Sequence, residues 1–204
     1  MAIKYKMLRR LHSHVVSTSF TPWTIGFDFR STLAYVTDPT DSVFWNNETY
    51  PTIKTSALGQ SVTAGWQSTS QLGAALNNST GVDVRLAGSI ANLQNTVPSV
   101  FQIALPAPGV YDIVAAWGVT GGSEASLTAA VLDNSTQLFQ YFRQSVVTSN
   151  FLDATGTAYL YSAWPGSQTA KRVTFTSSIC NMSIGNNGDS GQAPVAHFHL
   201  NRIS

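Results

Sequence analysis

The sequence predicts an all-β chain, an antiparallel β-sandwich or jelly roll preceded by a short N-terminal arm. Charged residues make up only 10% of the 204 positions, against about 25% in an ordinary soluble domain. Polarity comes instead from Ser, Thr, Asn, Gln and Gly, which suit turns and strand faces. Short apolar runs alternate with period two between clusters of Pro, Asp, Asn and Ser, and no window sustains a capped helical period over three turns. Roughly 35% strand or more, and less than about 15% helix, is therefore expected.

Residues 1–21 read as an arm and 22–204 as the sandwich domain. The arm carries Lys4, Lys6, Arg9 and Arg10 and no acid, with Leu8 and Leu11 among its apolar residues. It is too short to be a stable helix alone. A segment of this kind orders on a partner, burying Leu8 and Leu11 while its cations meet acidic groups. Lys4, Lys6, Leu8, Arg9, Arg10 and Leu11 are thus a candidate docking arm.

From Ile25 the alternation Ile25-Gly-Phe-Asp-Phe29 opens the domain. Strands are expected over 62–67 and 83–87. In 100–119, Phe101, Ile103 and Leu105 share one face, Pro106-Ala-Pro-Gly109 makes a turn, and Tyr111, Ile113, Ala115 and Trp117 share the returning face. The expectation is a hairpin with both apolar faces in the core. A second hairpin turns at Asp133-Asn-Ser-Thr136, and further strands are expected over 172–177, 179–184 and 195–203.

Several patterns imitate chemistry. Gly188-Asp-Ser-Gly191 copies the nucleophile motif of trypsin-like proteases, whose base is a histidine far upstream. The only upstream histidines, His12 and His14, lie in the arm, and thirteen residues after Gly191 are too few for a specificity pocket. His197-Phe-His199 has the spacing of a strand-borne metal pair, but sequence places no acidic or cysteine ligand beside it. Ten acids scattered singly are thin material for acid–base work. No catalytic residue, metal or cofactor is expected, and the chain is read as not an enzyme.

Cys180 is the single cysteine, which excludes an internal disulfide; its apolar surroundings imply a buried, inert thiol. Arg9, Arg10, His12 and His14 break every apolar run after the first basic residues, so no export signal is expected. The net charge of +1 gives no reason to expect nucleic acid or membrane as a partner. Of the five tryptophans, Trp117 is expected in the core. Trp45, Trp66 and Trp164 lie near turns and are candidate ligand-facing aromatics.

Phe27-Asp28-Phe29, the run Phe101-Gln-Ile-Ala-Leu-Pro-Ala-Pro-Gly-Val-Tyr-Asp-Ile113 and the closing Pro194-Val-Ala-His-Phe-His-Leu200 together resemble the galactose-binding-like jelly rolls. That family includes malectin-like and carbohydrate-binding modules. Arg85 resembles an Arg some members carry ahead of the second element, whereas Arg30 stands where the family often has Gly. The resemblance implies the fold over residues 25–203 and does not carry a sugar site with it. A short basic arm before a weakly charged sandwich leads to the expected role: a virion structural protein, as a bacteriophage capsid decoration or tail/fibre component. Its partners would be other virion proteins in a homo-oligomeric or multi-copy assembly, and its location the virion. The alternative role is a carbohydrate-binding module with glycan partners.

Overall fold

In a computed structural model of the chain, residues 21–30, 40–74, 83–86, 88–93, 97–118, 127–143, 150–164, 169–186 and 192–204 are described. The alternation becomes sixteen strands among these residues. In chain order they are β1 (Thr24–Phe29), β2 (Ser42–Trp45), β3 (Thr52–Thr55), β4 (Ser61–Trp66), β5 (Leu72–Ala74), β6 (Ile90–Asn92), β7 (Ser99–Ala104) and β8 (Gly109–Gly118). They continue as β9 (Leu127–Asp133), β10 (Thr136–Arg143), β11 (Asn150–Leu152), β12 (Ala158–Leu160), β13 (Lys171–Phe175), β14 (Ile179–Gly185), β15 (Ala193–Val195) and β16 (His197–Arg202). Among the described residues strand far exceeds helix, which is limited to two 3-10 turns, so the expected all-β class holds.

Two sheets form the sandwich. The first runs β12-β11-β8-β16-β1-β2, with β13 also paired to β8; the second runs β10-β9-β14-β7-β4-β3. A small third sheet, β15-β6-β5, joins them, because β15 packs against β8 of the first and β9 and β14 of the second. Pairing is antiparallel except between β1 and β2, which run parallel. Among the described residues no helix is long and apolar enough to cross a membrane.

Every second residue of the main strands enters one core. Ile25, Phe27 and Phe29 of β1 meet Val62, Ala64 and Trp66 of β4, Phe101 and Ile103 of β7, and Cys180, Met182 and Ile184 of β14. Phe101 is the hub: its ring stands 5.2 Å from Phe27, 5.0 Å from Phe29, 5.3 Å from Trp45 and 5.1 Å from Trp66, edge to face or tilted in each case. Such pairs add roughly 0.5–1.5 kcal/mol each beyond the area they bury. Tyr111, Ile113, Ala115, Trp117 and Leu105 join the same core, as the alternation predicts. Burial pushes the Cys180 thiol well above its ordinary pKa, so the thiolate does not form.

The second expected hairpin is present. Asp133 pairs with Thr136 across the turn, and Asn134 takes the left-handed conformation at φ 54°, which Asn tolerates better than most residues. Asp133 also fastens the next turn. It accepts hydrogen bonds from the backbone N–H groups of Thr176 (2.7 Å) and Ser177 (3.0 Å) and from both hydroxyls.

Three expectations need correction. The strands flanking Pro106–Gly109 exist, but they do not pair: β7 lies between β14 and β4, and β8 lies between β16 and the β13/β11 edge. The turn therefore crosses from one sheet to the other. Gly109 permits the crossing, with φ 152° and a hypothetical Cβ only 2.1 Å from the Ser204 carbonyl oxygen. The expected strand over 83–87 is instead a 3-10 turn, Val84–Leu86, because Asp83 caps it: its Oδ1 accepts from Arg85 N at 2.9 Å and its carbonyl from Leu86 N at 2.9 Å. The closing strand is interrupted at Ala196, whose N–H bonds to Ala116 O and whose carbonyl accepts from Phe29 N. Residues 1–20, which hold all of the expected arm but Thr21, and the Gly188–Gly191 motif lie outside the described residues.

Candidate functional site

The outer face of the first sheet is not an ordinary solvated face. Leu86, Ala116, Phe151, Tyr159, Trp164 and Ala196 form a second buried cluster on it. Phe151 stacks on Tyr159 at 6.0 Å and Tyr159 on Trp164 at 5.9 Å. Beside this cluster, strand register gathers polar side chains. Asp28 of β1 is opposite His197 of β16, and Gly26 is opposite His199 and also level with Ser42 of β2. A Cβ on Gly26 would sit 2.2 Å from Ser42 Oγ and 3.1 Å from His197 Cε1. Glycine is what lets the two neighbouring strands close over β1 here.

At the floor, His197 Nδ1 and Asp28 Oδ1 are 2.5 Å apart, both side chains buried. Arg30 lies alongside, its Nη2 4.0 Å from Asp28 Oδ2, and its stem fills the space a side chain at Gly88 would need. The Trp164 ring stands edge-on to His197 at 5.6 Å. Towards the surface, His199 Nε2 is 2.7 Å from Thr24 Oγ1, and its Nδ1 is 3.9 Å from Asp41 Oδ2. Burial lowers the His199 pKa to about 4, the neighbouring His197 adds to this, and Asp41 and Asp28 oppose it. His199 is therefore neutral at pH 7.

The 3-10 turn supplies the opposite wall. The Arg85 fork meets Asp83 twice, Nε to Oδ1 at 2.9 Å and Nη2 to Oδ2 at 3.1 Å, and Arg85 lies 5.6 Å from the Trp164 ring centroid. Hydrogen bonding to Asp83 outweighs burial and holds the guanidinium above its ordinary pKa; Asp28 and Asp41 act in the same sense. Burial raises the Asp83 pKa, but Arg85 outweighs it and the net shift is downward. Both side chains are partly exposed, so this pair adds little stability.

Thr24, His199 and Asp41 follow the hydroxyl–imidazole–carboxylate order of an acyl-transfer relay. A histidine titrating near 4 is a poor base at neutral pH, and the carboxylate stands 3.9 Å away. The arrangement suits binding better than proton transfer. Among the described residues no group of three metal-ligating side chains occurs.

The aromatics expected to face a ligand do not. Trp45 and Trp66 are fully buried in the core, because the turns beside them carry their rings inward against Phe101. Trp164 is 8% exposed; with Tyr159 stacked on it and Arg85 over its ring, it is a wall of the site and not a free platform. Asp28, Arg30, Asp41 and Asp83 were not expected as site residues from the sequence. One signal was present: a carboxylate between Phe27 and Phe29, and a His-x-His near the chain's end, would meet if the opening and closing strands paired.

No family model matches the chain, and no curated protein matches it. Among solved structures it is similar to protein YXIM of Bacillus subtilis, with a TM-score of 0.55 at 11% identity, over 89% of this chain and 40% of that one. The chain thus spans well under half of that protein, and the likeness is one of fold. Two smaller structures superpose less well. One is CBM35 of Paenibacillus barcinonensis, with a TM-score of 0.36 at 13% identity over 70% of this chain and 99% of that one. The other is CBM32-3 from a family 31 glycoside hydrolase of Clostridium perfringens, with 0.27 at 12% over 66% and 92%.

Proposed function

We propose that this chain is a carbohydrate-binding module without catalytic activity, which takes a sugar at the outer face of its first sheet. The observation that carries the reading is a gathering of polar groups. Asp28, Arg30, Asp41, Asp83, Arg85, His197 and His199 meet on one face of a chain with only ten acids and four histidines in all. Planar groups that make two hydrogen bonds side by side match vicinal hydroxyls on a sugar ring. Carbohydrate-binding module is also the class that two neighbours' names denote; the support lies in the chain's own side chains. With Trp164 covered, recognition rests on hydrogen bonds and not on stacking.

The virion role draws on the arm and on composition, and no described residue favours it. The test is retention of the full chain on immobilised glycans and in affinity electrophoresis, beside Asp41→Asn and Arg85→Gln. Wild-type retention that both substitutions weaken is expected. A chain that no glycan retains is not a carbohydrate-binding module.

A further inference from the structure

We infer, resting on the carbohydrate reading above, that the site selects glycans free of acidic groups, and that Asp41 is the residue that sets this preference. Each cation of the cluster already faces a carboxylate. The Arg85 fork is occupied by Asp83 at 2.9 and 3.1 Å, and buried Arg30 stands 4.0 Å from buried Asp28. Asp41 is different. Its side chain is 32% exposed, the most open carboxylate of the group, and among the described residues its ion pair is with His199 alone, at 3.9 Å. That imidazole is neutral above about pH 5 because burial disfavours its charged form. Among the described residues, the mouth therefore presents a carboxylate that Arg85 attracts only at longer range and that no Lys or Arg pairs with directly.

A second observation points the same way. Asp28 Oδ2 and Trp164 Nε1 are buried and have no hydrogen-bond partner, and both residues contact His197. Buried polar atoms left unpaired call for an explanation. One orphan is an acceptor and the other a donor. Hydroxyl groups can serve either atom, whereas a carboxylate only accepts and would leave the Asp28 oxygen unpaired, with its negative charge added. Sugar hydroxyls fit this pair of demands; uronate or sulfate groups do not.

The experiment titrates the full chain at pH 7 and low salt with a neutral, an amine-bearing and a uronate-bearing oligosaccharide of equal length, by calorimetry. The uronate ligand is expected to bind roughly tenfold or more weaker than the tighter of the other two, as an unfavourable like-charge contact implies. Asp41→Asn should narrow that gap and Asp41→Glu should restore it, with circular dichroism confirming that each variant folds. Uronate binding as tight as neutral binding, or an unchanged gap in Asp41→Asn, overturns the inference and leaves the carbohydrate reading standing. Binding of none of the three sugars overturns both.

Discussion

Asp133 and His199 are both held below their ordinary pKa, and the same direction has opposite consequences for charge. Burial alone would raise the Asp133 carboxyl, but hydrogen bonds from Ser177 and Thr176 outweigh it and bring it to about 2; it stays charged. His199, at about 4, stays neutral. An unfolded chain would titrate these groups near ~3.9 and ~6.5, so it binds more protons in both windows and stability falls with acid in each. The His199 share is complete above about pH 6.5 and lost by about pH 4. The Asp133 share is complete above about pH 4 and lost as pH passes through about 2. We predict that His199→Gln flattens the first loss and Asp133→Asn the second, measured by urea unfolding from pH 2 to 7. Asp133→Asn should also cost roughly 1.5–3 kcal/mol at pH 7, the usual worth of hydrogen bonds to a charged group. Curves parallel to wild type in both windows would refute the assignments.

At the level of strands, backbone geometry rather than side-chain chemistry sets the sharpest constraint. Gly65 on β4 has φ 149°, and a Cβ there would lie 2.4 Å from the Thr49 carbonyl carbon and the Tyr50 nitrogen. These are backbone atoms beside the bridge between Thr49 and Trp66, and they cannot swing away as a side chain can. Gly65→Ala is predicted to lower stability by more than about 1 kcal/mol, the cost of the backbone conformation alone, whereas Gly59→Ala, at φ 80° with nothing within 4 Å, should cost only the conformational part. Equal melting temperatures for the two variants would contradict this. The same scale explains what the sequence made legible. Period two told which residues of β7 and β8 face the core, and it was right for Phe101, Ile103, Tyr111 and Trp117. It could not tell whether the two strands lie side by side or face each other across the core, since both arrangements bury the same residues. The site was hidden for the same reason: Asp28 and His197 meet only through the pairing of β1 with β16, 169 residues apart. Asp83 and Arg85 were misplaced because a side-chain cap on the local backbone outcompeted the strand pattern.

Across the whole molecule, one aromatic core bonds the two sheets, so damage to it should be felt everywhere at once. Trp117 is fully buried between Phe139 and Phe198, each ring 6.4 Å away. Trp117→Ala should cost roughly 3–5 kcal/mol, seen as one cooperative shift of both tryptophan fluorescence and far-UV dichroism; two separate transitions would mean that the sheets unfold independently. The described core is built from Trp23 onward, and deleting residues 2–20 is expected to leave the sandwich folded. Sedimentation of that truncation beside the full chain tests the docking expectation, which predicts that only the full chain enters a larger particle. The place of β16 has a further consequence, for the order of events in folding. It is the last strand of the described chain, yet it lies at the centre of the first sheet, between β8 and β1. During synthesis β1 and β8 must wait, their inner edges unpaired, until residue 202 clears the ribosome. Sheet closure and the meeting of His197 with Asp28 both wait for β16. Pairings this distant are slow to form, and a nascent chain with open edges is exposed to aggregation until they do.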